Sequence, residues 1–351
     1  MNQPIRPYRV MQVMAGAPVG GVETFFFDAV LALAEAGLEQ MAVVRANAPF
    51  QLARLKAAGV PYETAGFSPW LWFPTNAVLR RATQSFKPDI IQYWSGRAAT
   101  YAPKWKGRHV GWYGGYRERW RFEACSHFIG ITPDLVEHIK KQGVPADRVA
   151  LVHTLADYVP QAPVDRASLD TPKDAPLLLA LARLHWKKGL DVLLDALARV
   201  PGAYLWIAGE GEDRAKLQAQ TRRLKLEDRV RFLGWRNDRE ALLATADICV
   251  FPSRYEPFGT VTIEAWAAGT PLIAAASQGP GAFVENETNG MLVAVDDVDA
   301  LAAAIGRAIA EPELRARIVQ GGRKSYEEGF TKKVYVRDML AVYDKVMKDA
   351  A

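Results

Sequence analysis

The sequence predicts an α/β protein made of two Rossmann-like, doubly wound domains that face each other across a cleft. The chain has 351 residues, more than one ordinary hydrophobic core holds. Strand-like apolar runs alternate with amphipathic helices from end to end, a pattern typical of parallel sheets covered on both faces. A stretch rich in Pro, Asp and Ser, about 159–176, has no periodicity and predicts a linker between a domain at 1–160 and a domain at 174–330.

The first domain begins with a hydrophobic strand and alternates from there. Its predicted elements are, in order, the strand YRVMQVMAG, the helix VETFFFDAVLALAEAG, the strand MAVVRA, the helix QLARLKAAG, the strands DIIQYW and HFIGITP, and the helix TPDLVEHIKKQG. Thr132 opens this last helix and is a suitable N-cap, because its hydroxyl can accept a hydrogen bond from an unpaired backbone N–H group.

The second domain repeats the pattern. Its predicted elements are the strand PLLLALARL, the helix LDVLLDALARV, the strand AYLWIAGEG, a charged helix near 212–225, the strands RVRFLG and DICVF, a helix from about Val261 to Ala268, and the strand PLIAA. Asn289-Gly290 then predicts the turn of a short hairpin. A helix follows from about Val298, and the final segment from Thr331 to Met347 is helical.

Composition narrows the class of protein. Half of the residues are hydrophobic and 24% are charged, as in ordinary globular proteins. Cys125 and Cys249 lie in apolar runs, which predicts buried thiols in a reducing compartment. Gln12 interrupts the apolar N-terminal stretch, so we expect no signal peptide, and no run approaches the ~20 apolar residues of a membrane helix. We therefore expect a cytoplasmic protein, either free or peripheral on the cytosolic face of the inner membrane.

Positive charge is concentrated in the first half of the chain. Residues 1–165 carry 18 Lys and Arg against 13 Asp and Glu, whereas the remainder carries 26 of each. Such a field attracts nucleic acid, anionic lipid or an acidic substrate. The chain has no RNA- or DNA-binding motif, so we expect no nucleic-acid partner.

The segment YEPFGTVTIEAWAAGTPLIAAA, residues 255–276, carries the strongest functional signal. Glu256 lies on the turn between a strand and a helix, and Glu264 follows eight positions later, one turn into that helix. The backbone amides that open the helix lie at its positive end, where anions and hydroxyl groups bind readily. Two acceptors beside a row of donors suit a sugar nucleotide. The alternative is that the glutamates only favour the helix dipole.

This segment resembles the E-x7-E signature of the retaining glycosyltransferases of family 4, which have the GT-B fold. The resemblance covers nearly the whole chain and is specific from about Ala182 to Val295. It implies that Glu264 holds the ribose hydroxyls and Glu256 those of the donor sugar. It also implies front-face attack in which the leaving phosphate takes the acceptor's proton. A terminal helix, about 331–351, would pack back on the first domain.

Basic and glycine-rich turns supply the expected phosphate contacts. Arg183 and Lys188, in ARLHWKKGL, follow the first strand of the second domain and can both point into the cleft. They match the family's R-L-x-x-x-K-G pattern, and their charge would neutralise a diphosphate leaving group, although surface basic residues would look the same. Gly20 and Gly21 resemble the family's GG(V/I)E turn that closes over the donor phosphates, with a simple tight turn as the alternative.

Weaker signals complete the predicted donor site. Gly209 lies in a G-x-G turn, and Trp235 and Arg236 lie where family members hold the nucleotide base. The residues for which the resemblance implies catalytic roles are Arg183, Lys188 and Glu256. The predicted donor-binding residues are Gly20, Gly21, Arg183, Lys188, Gly209, Arg236, Glu256, Phe258, Gly259, Thr260, Val261 and Glu264.

We expect no metal and no cofactor. Asp297-Val298-Asp299 has the form of a metal-binding D-x-D, but it precedes a helix, so N-capping explains these carboxylates better. No His/Cys cluster has metal-ligand spacing. The Gly20-Gly21 turn lacks the spacing of a dinucleotide fingerprint, which makes an NAD-dependent oxidoreductase the least favoured interpretation.

The first domain is expected to bind the acceptor. Many family members have a histidine after the strand that reads RHVGWY here, but His109 lies at the start of that strand, so a tyrosine would contact the sugar instead. SPWLWFP places two tryptophans in a Pro-bounded loop, with basic clusters downstream. Aromatic rings beside cations suit a membrane interface or an acceptor with phosphate or carboxylate; a packed lid is the alternative. The acceptor-side candidates are Tyr113, Tyr116, Arg117, Trp70 and Trp72.

Together these observations predict a retaining, metal-independent hexosyltransferase. It would move a hexose from a UDP- or GDP-linked sugar to a glycolipid or lipid-linked saccharide such as lipopolysaccharide core, with peripheral contact to an anionic membrane. A transferase acting on a soluble acceptor is one alternative. A sugar-nucleotide-binding protein without turnover is another, which the displaced histidine would fit.

Overall fold

The chain divides into two compact units. The computed structural model describes residues 8–17, 20–68, 70 and 72–349. Unit 1 comprises Met1–Leu155 and Lys332–Ala351, and unit 2 comprises Ala156–Thr331. Each unit is built on one parallel sheet flanked by helices, so the predicted fold class of two Rossmann-like α/β units is confirmed.

The described part of unit 1 contains seven parallel strands. They are β1 Val10–Val13, β2 Gln40–Val44, β3 Tyr62–Thr64, β4 Ile90–Tyr93, β5 Arg108–Tyr113, β6 His127–Gly130 and β7 Val149–Leu151. Their order in the sheet is β3-β2-β1-β4-β5-β6-β7. The central strands β1, β2 and β4 are buried along their whole length, as expected for a parallel sheet covered on both faces.

Five helices follow these strands in the described residues of unit 1 before the chain enters unit 2. They are α1 Gly21–Glu35, α2 Pro49–Ala57, α3 Trp72–Phe86, α4 Gly96–Ala99 and α5 Pro133–Lys141. The hydroxyl of Thr132 accepts a 3.2 Å hydrogen bond from the backbone N–H of Leu135, so the predicted N-cap of α5 is confirmed.

The described residues of unit 2 form a six-stranded parallel sheet. Its strands are β8 Leu177–Leu181, β9 Tyr204–Ala208, β10 Val230–Gly234, β11 Ile248–Phe251, β12 Leu272–Ala275 and β13 Met291–Val293, in the order β10-β9-β8-β11-β12-β13. Its helices are α6 Leu190–Ala198, α7 Arg214–Arg223, α8 Arg239–Thr245, α9 Thr260–Ala268, α10 Gln278–Phe283, α11 Val298–Ala310 and α12 Pro312–Gly329.

The last helix, α13 Lys332–Lys348, belongs to unit 1. It is tied to the sheet by a buried polar network rather than by apolar packing alone. The hydroxyl of Tyr343 donates to the side-chain oxygen of Gln92 (2.6 Å) and accepts from the side-chain nitrogen of Gln12 (3.2 Å). Near its end, Asp344 accepts a 2.9 Å hydrogen bond from the hydroxyl of Tyr8. These directional hydrogen bonds in the core favour one docking position for the helix.

The predicted hairpin at Asn289-Gly290 is wrong, because β13 runs parallel to β12. The Asn289 side chain serves the loop in another way. Its oxygen accepts a 2.8 Å hydrogen bond from the backbone N–H of Glu285, and its nitrogen donates to the carbonyl of Phe283 (3.1 Å). An Asn-Gly pair can therefore organise a wide loop as well as a two-residue turn.

The stretch 159–176, predicted as a linker, is assigned to unit 2. Arg166 donates to the backbone carbonyl of Thr245 (2.7 Å) and to the carboxylate of Asp247 (3.0 Å). The indole of Trp206 donates to the hydroxyl of Thr171 (2.9 Å). These bonds to residues of α8, β9 and the segment before β11 hold a stretch of linker-like composition against unit 2.

Candidate active site

The carboxyl edge of the unit 2 sheet carries most of the predicted donor-site residues. The strands are parallel, so the loops that follow β8, β9, β10 and β11 all leave the sheet at this edge. The winding direction reverses between the neighbouring strands β8 and β11, and open α/β sheets bind ligands at such a point. Arg183 and Lys188 follow β8, whereas Glu256 and Glu264 follow β11.

Gly189 lets the loops after β8 and β11 approach closely. Its φ of 62° lies in the left-handed region, and a Cβ at this position would overlap the carbonyl oxygen of Pro252. The ring nitrogen Nδ1 of His185 accepts a 3.1 Å hydrogen bond from the backbone of Lys187 and shapes the preceding turn. The backbone therefore carries Lys188 to the segment that follows β11.

Lys188 and Glu256 form an ion pair between Nζ and Oε2, with side chains that are 24% and 16% exposed. The Lys188 ammonium also lies 5.8 Å from the centre of the Phe251 ring. In this partly dry setting the attraction between the two charges is stronger than on an open surface. Both charged groups are thus held in place without a ligand.

Arg254, which the sequence analysis missed, anchors the loop that carries Lys188. Its guanidinium donates two 2.7 Å hydrogen bonds to the carboxylate of Asp191 and one of 2.7 Å to the carbonyl of Trp186. Its backbone N–H donates to the carbonyl of Lys187 (2.8 Å). Burial by itself would raise the pKa of Asp191, but the hydrogen bonds and charge of Arg254 outweigh it and keep that pKa below its ordinary value.

Glu264 is held by a second arginine that the sequence analysis also missed. Nη1 of Arg239 lies 3.1 Å from Oε1 of Glu264, and Nε of the same arginine donates to Glu240 (2.9 Å). Glu264 is 14% exposed and Arg239 is 36% exposed. Arg239 is the first residue of α8, and a charged residue at the start of a helix is common in any sequence. Only the packing of α8 against α9 shows that Glu264 is its partner.

The turn before α9 is fixed by glycines. Gly259 caps the helix with a φ of 87°, and a Cβ there would lie 3.2 Å from the Glu256 side chain. The N–H of Gly279 donates a 2.7 Å hydrogen bond to the carbonyl of Glu256. Thr260 and Val261 open the helix and are half-buried, so the predicted backbone donors lie at its N-terminus.

Phe258 can reach a ligand only through its backbone amide. Its ring is 4% exposed and packs against Phe283 and Phe330, with ring centres 4.9 Å and 6.1 Å apart. The predicted role of Phe258 is therefore limited to its amide group, while its side chain stabilises the turn.

Gly209 brings the ends of β8, β9 and β10 together. Its N–H donates to the carbonyl of Gly234 (2.7 Å), and its φ is 146°. A Cβ at Gly209 would overlap the carbonyl oxygen of Ala182. The sequence analysis had identified Gly209 from a short G-x-G turn, and the structure supplies the physical reason for the glycine.

Two predicted contacts lie toward the periphery. Arg183 is 67% exposed and 3.8 Å from Glu212, a surface pair that holds it weakly. Arg236 pairs with Asp238, and this hydrogen bond raises the pKa of Arg236. A groove of about 690 Å³ along β10 includes Arg236 but none of the other predicted donor-site residues. The candidate site is therefore identified by its charged side chains and backbone amides and not by the volume of this groove.

This edge combines the cations Arg183 and Lys188, the carboxylates Glu256 and Glu264, and the amides at the N-terminus of α9. Lysine and arginine suit phosphate oxygens, carboxylates accept hydrogen bonds from hydroxyl groups, and N-terminal amides bind either. The arrangement suits a small ligand that carries both phosphates and hydroxyls.

In unit 1, Gly20 is the N-cap of α1 and Gly21 is the first residue of that helix. The Glu23 carboxylate folds back to accept a 2.8 Å hydrogen bond from the N–H of Ala17, and a Cβ on Gly20 would overlap that carboxylate. The φ of Gly20, 169°, is extended backbone that any residue adopts, and the Glu23 carboxylate is the end of a flexible side chain that can move aside, so neither feature requires glycine here. Gly21 has open space around it. Pro18 and Val19 lie outside the described residues.

The prediction that Tyr113 contacts the acceptor is wrong. Its side chain is fully buried and stacks on Phe122, with ring centres 4.5 Å apart. Burial also raises the pKa of Tyr113, so its phenol stays protonated. Tyr116 lies beyond the end of β5, half-buried, and donates a 3.2 Å hydrogen bond to Asp134. Arg117 is exposed beside it.

His109 lies near the start of β5, as expected from the sequence. Its Nδ1 is 2.9 Å from the hydroxyl of Tyr93, the two rings stack, and burial lowers the pKa of His109. A neutral histidine in the core performs a structural role.

The aromatic segment after β3 is exposed rather than packed. Trp70 is 95% exposed, Trp72 is 45% exposed and Phe73 is 81% exposed. Trp72 opens α3, so the predicted Pro-bounded loop is helical from this residue onward. The packed-lid alternative is wrong for Trp70 and Phe73.

Other expectations concern groups outside the site. Asp297 accepts a 2.8 Å hydrogen bond from the N–H of Ala300, which confirms it as the N-cap of α11. Cys125 and Cys249 are buried thiols, as predicted. Within the described ranges, no group of three or more His, Cys, Asp or Glu side chains could hold a metal ion. The described helices include none long and apolar enough to cross a membrane.

Two family models match the chain. The family described as Glycosyltransferase Family 4 matches residues 19–158, and the family described as Glycosyl transferases group 1 matches residues 161–325. Together these models cover most of the chain, which therefore belongs to the glycosyltransferase family that they describe, and its two parallel α/β units are those of the GT-B fold.

Curated relatives agree over nearly the full length. The lipopolysaccharide core biosynthesis glycosyltransferase LpsE of Rhizobium meliloti is 33% identical over 318 residues, which are 89% of this chain and 92% of that protein. LpsD of the same organism is 32% identical over 343 residues, 96% and 98% of the two chains. Among solved structures, HepE of Anabaena in complex with UDP has a TM-score of 0.84 at 21% identity and covers 96% of this chain and 99% of its own. That likeness shows the fold.

Proposed function

We propose that this glycosyltransferase retains anomeric configuration, requires no metal ion, and transfers a hexose from a UDP- or GDP-linked sugar. The proposed acceptor is a glycolipid or lipid-linked saccharide such as lipopolysaccharide core. The observation that carries the donor half is the pairing of Lys188 with Glu256 and of Arg239 with Glu264 at one sheet edge. The two relatives named for lipopolysaccharide core biosynthesis support the acceptor class.

The proposed donor-site residues have different roles according to their charge. As the bond between the anomeric carbon and the diphosphate oxygen breaks, negative charge grows on the leaving group, and Lys188 and Arg183 would stabilise it in place of a metal. Glu256 would accept hydrogen bonds from hydroxyls of the sugar, and Glu264 from those of the ribose. Preformed ion pairs support this assignment, since a fixed charge needs little reorganisation during the reaction.

The acceptor hydroxyl would attack the anomeric carbon on the same face of the sugar from which the diphosphate leaves. Its oxygen bonds to the anomeric carbon, and its proton passes to an oxygen of the leaving diphosphate, so the products are a glycoside and a nucleoside diphosphate. This step needs no protein base. The burial of His109 supports it, because that imidazole lies in the core of unit 1.

Release of nucleoside diphosphate tests the proposal. UDP-glucose, UDP-galactose and GDP-mannose would each be supplied with truncated lipopolysaccharide or with free sugars, with and without EDTA, and the product anomer read by NMR. We expect one donor to be consumed with lipopolysaccharide, retention of configuration, and full activity in EDTA. Turnover only on free sugars would favour the soluble-acceptor alternative, and binding without release would favour a protein without turnover.

Lys188→Ala and Lys187→Ala form a matched pair for the donor site. We expect Lys188→Ala to lower kcat about 10²–10³-fold, as for loss of one preorganised charge-stabilising group. Lys187→Ala should change kcat less than about threefold, because the Lys187 ammonium is exposed and lies over the Tyr255 ring at 5.0 Å. Equal losses in both variants would contradict the proposed role of Lys188.

A further inference from the structure

The carboxyl edge of the unit 1 sheet exposes several large aromatic side chains. They are Trp70 at 95%, Phe73 at 81%, Phe50 at 74% and Trp72 at 45%. We call these four residues the aromatic rim. Single exposed apolar side chains are ordinary on a protein surface, but a group of them marks a contact surface.

The rim is built by two adjacent loops. Strands β2 and β3 are parallel neighbours, with Val44 opposite Thr64, so the segments that follow them leave the sheet side by side. Nε of Arg45 donates a 3.0 Å hydrogen bond to the carbonyl of Gly66 and ties these segments together. The rim residues lie in the first turns of α2 and α3 or just before α3.

Buried aromatic residues support the rim. The Trp72 ring lies 4.8 Å from the ring of Tyr101, which in turn contacts the Phe67 ring at 5.7 Å. Tyr101 and Phe67 are both buried, and the N–H of Phe67 donates a 3.1 Å hydrogen bond to the hydroxyl of Thr75 in α3. The core therefore orders the backbone from which the exposed rings project.

Positive charge surrounds the rim. Residues 40–117 contain 11 Lys and Arg but only two acids, Glu63 and Asp89. Glu63 pairs with Arg81, and Asp89 accepts a 2.8 Å hydrogen bond from the backbone of Arg9. From outside this range Asp28 pairs with Arg54, and most of the remaining cations have no ion-pair partner among the described residues.

Three of these cations lie on segments that adjoin the rim. Arg80 is exposed on α3 two turns after Phe73, on the same outer face of the helix. Arg97 and Lys104 are exposed on either side of Tyr101 in the chain, and the ring of Tyr101 contacts Trp72. None of the three forms an ion pair with any residue in the described ranges.

We propose that the aromatic rim, with Arg80, Arg97 and Lys104, is a docking surface for an anionic lipid bilayer. Exposed rings on loop tips and helix starts can enter the headgroup layer, while the cations contact lipid phosphates. Stacking on nucleic-acid bases would instead need rings lying flat along a groove. Tyr116 and Arg117 leave the same sheet edge after β5, so docking brings lipid to the edge with the predicted acceptor-side residues.

Vesicle sedimentation tests this surface on the full chain. Vesicles of phosphatidylcholine alone are compared with vesicles containing about a third phosphatidylglycerol, at low and high salt. We expect binding to the anionic vesicles that high salt weakens. The double variant Trp70→Ala/Phe73→Ala and the variant Arg80→Glu should each bind about tenfold more weakly.

Trp235→Ala provides the matched control, since this tryptophan is 60% exposed but lies in unit 2. It should bind vesicles like the unaltered protein. Equal binding by the rim variants and the control, or no preference for anionic vesicles, would overturn the docking surface. So would loss of binding to a short RNA in the rim variants with vesicle binding unchanged.

Thermal stabilisation by nucleotide sugars separates this inference from the proposed function. The rim variants should keep the same stabilisation, which also shows that they fold. Vesicle binding without any nucleotide binding would remove the proposed donor chemistry and leave the docking surface standing. Nucleotide binding without vesicle binding would do the reverse.

Discussion

The two sheets carry opposite kinds of surface at their carboxyl edges. In unit 2, cations near the site are held by carboxylates, and the pairs are Lys188 with Glu256, Arg239 with Glu264 and Arg254 with Asp191. In unit 1, several exposed cations have no ion-pair partner among the described residues, including Arg80, Arg97 and Arg117. Unit 1 carries 23 Lys and Arg against 14 Asp and Glu, whereas unit 2 carries 21 against 25.

This difference in ion pairing shows that one fold can present two kinds of surface. A small, charged ligand binds best where donors and acceptors are fixed in advance, and ion pairs together with close glycine contacts fix them in unit 2. A large anionic partner is met by long cationic side chains that are not committed to internal acids, as in unit 1. The same parallel sheet therefore supports a shaped site in one unit and a charged surface in the other.

The largest expected effect tests how tightly the unit 2 edge is fixed. Gly209→Ala should lower the free energy of unfolding by about 3 kcal/mol, because a Cβ would overlap the Ala182 carbonyl and the φ is 146°. Gly21→Ala, at the first residue of α1 where a Cβ would meet no other atom, should change it by less than about 0.5 kcal/mol. Urea denaturation measures both, and similar losses at the two positions would break the comparison.

A smaller effect is expected on nucleotide affinity, in which the paired Arg239 should differ from Arg117, which has no ion-pair partner in the described part of the chain. Arg239→Ala should raise the Kd for the nucleotide about tenfold, since Glu264 loses the guanidinium 3.1 Å away that positions it. Arg239→Lys should recover part of that loss. Arg117→Ala should leave nucleotide binding and stability unchanged and raise only the acceptor KM. Calorimetry with UDP and GDP decides, and equal nucleotide affinities in both alanine variants would argue against a positioning role for Arg239.

The smallest effect concerns pH. Burial is the main cause that lowers the pKa of His109, His127 and His153, all in unit 1. Folding therefore favours the neutral imidazoles, so their contribution to stability is complete above about pH 6.5 and declines as the pH falls below it. Unit 2 contains a single histidine, His185, which is half-buried.

We accordingly expect unit 1 to lose stability between pH 7 and pH 5 before unit 2 does. Hydrogen exchange, corrected for the intrinsic effect of pH, should show earlier loss of protection in β4–β6 than in β8 and β11. Simultaneous loss in both units would show that the buried histidines do not set the acid response.

Sequence patterns captured the regular elements because each pattern is local. The apolar strand β11, the helix α9 and the glycine that ends it are read from neighbouring residues, and the observed helix, Thr260–Ala268, differs by one residue from the predicted one. The hairpin at Asn289 failed because a turn residue can also cap a wide loop, and strand direction depends on what lies across the sheet. Tyr113 failed because the side on which a strand-end residue points depends on packing against Phe122.

The sequence by itself determined the alternating α/β architecture, the family and the positions of the charged residues proposed for the donor site, since periodicity and motif spacing are properties of adjacent residues. Only the tertiary structure decided which charges meet. Arg239 reaches Glu264 and Arg254 reaches Asp191 across long stretches of chain. The exposure of Trp70 and Phe73 likewise depends on what the rest of unit 1 leaves uncovered. Ion pairing and burial depend on contacts between residues that are far apart in the sequence, so a local sequence pattern cannot predict them.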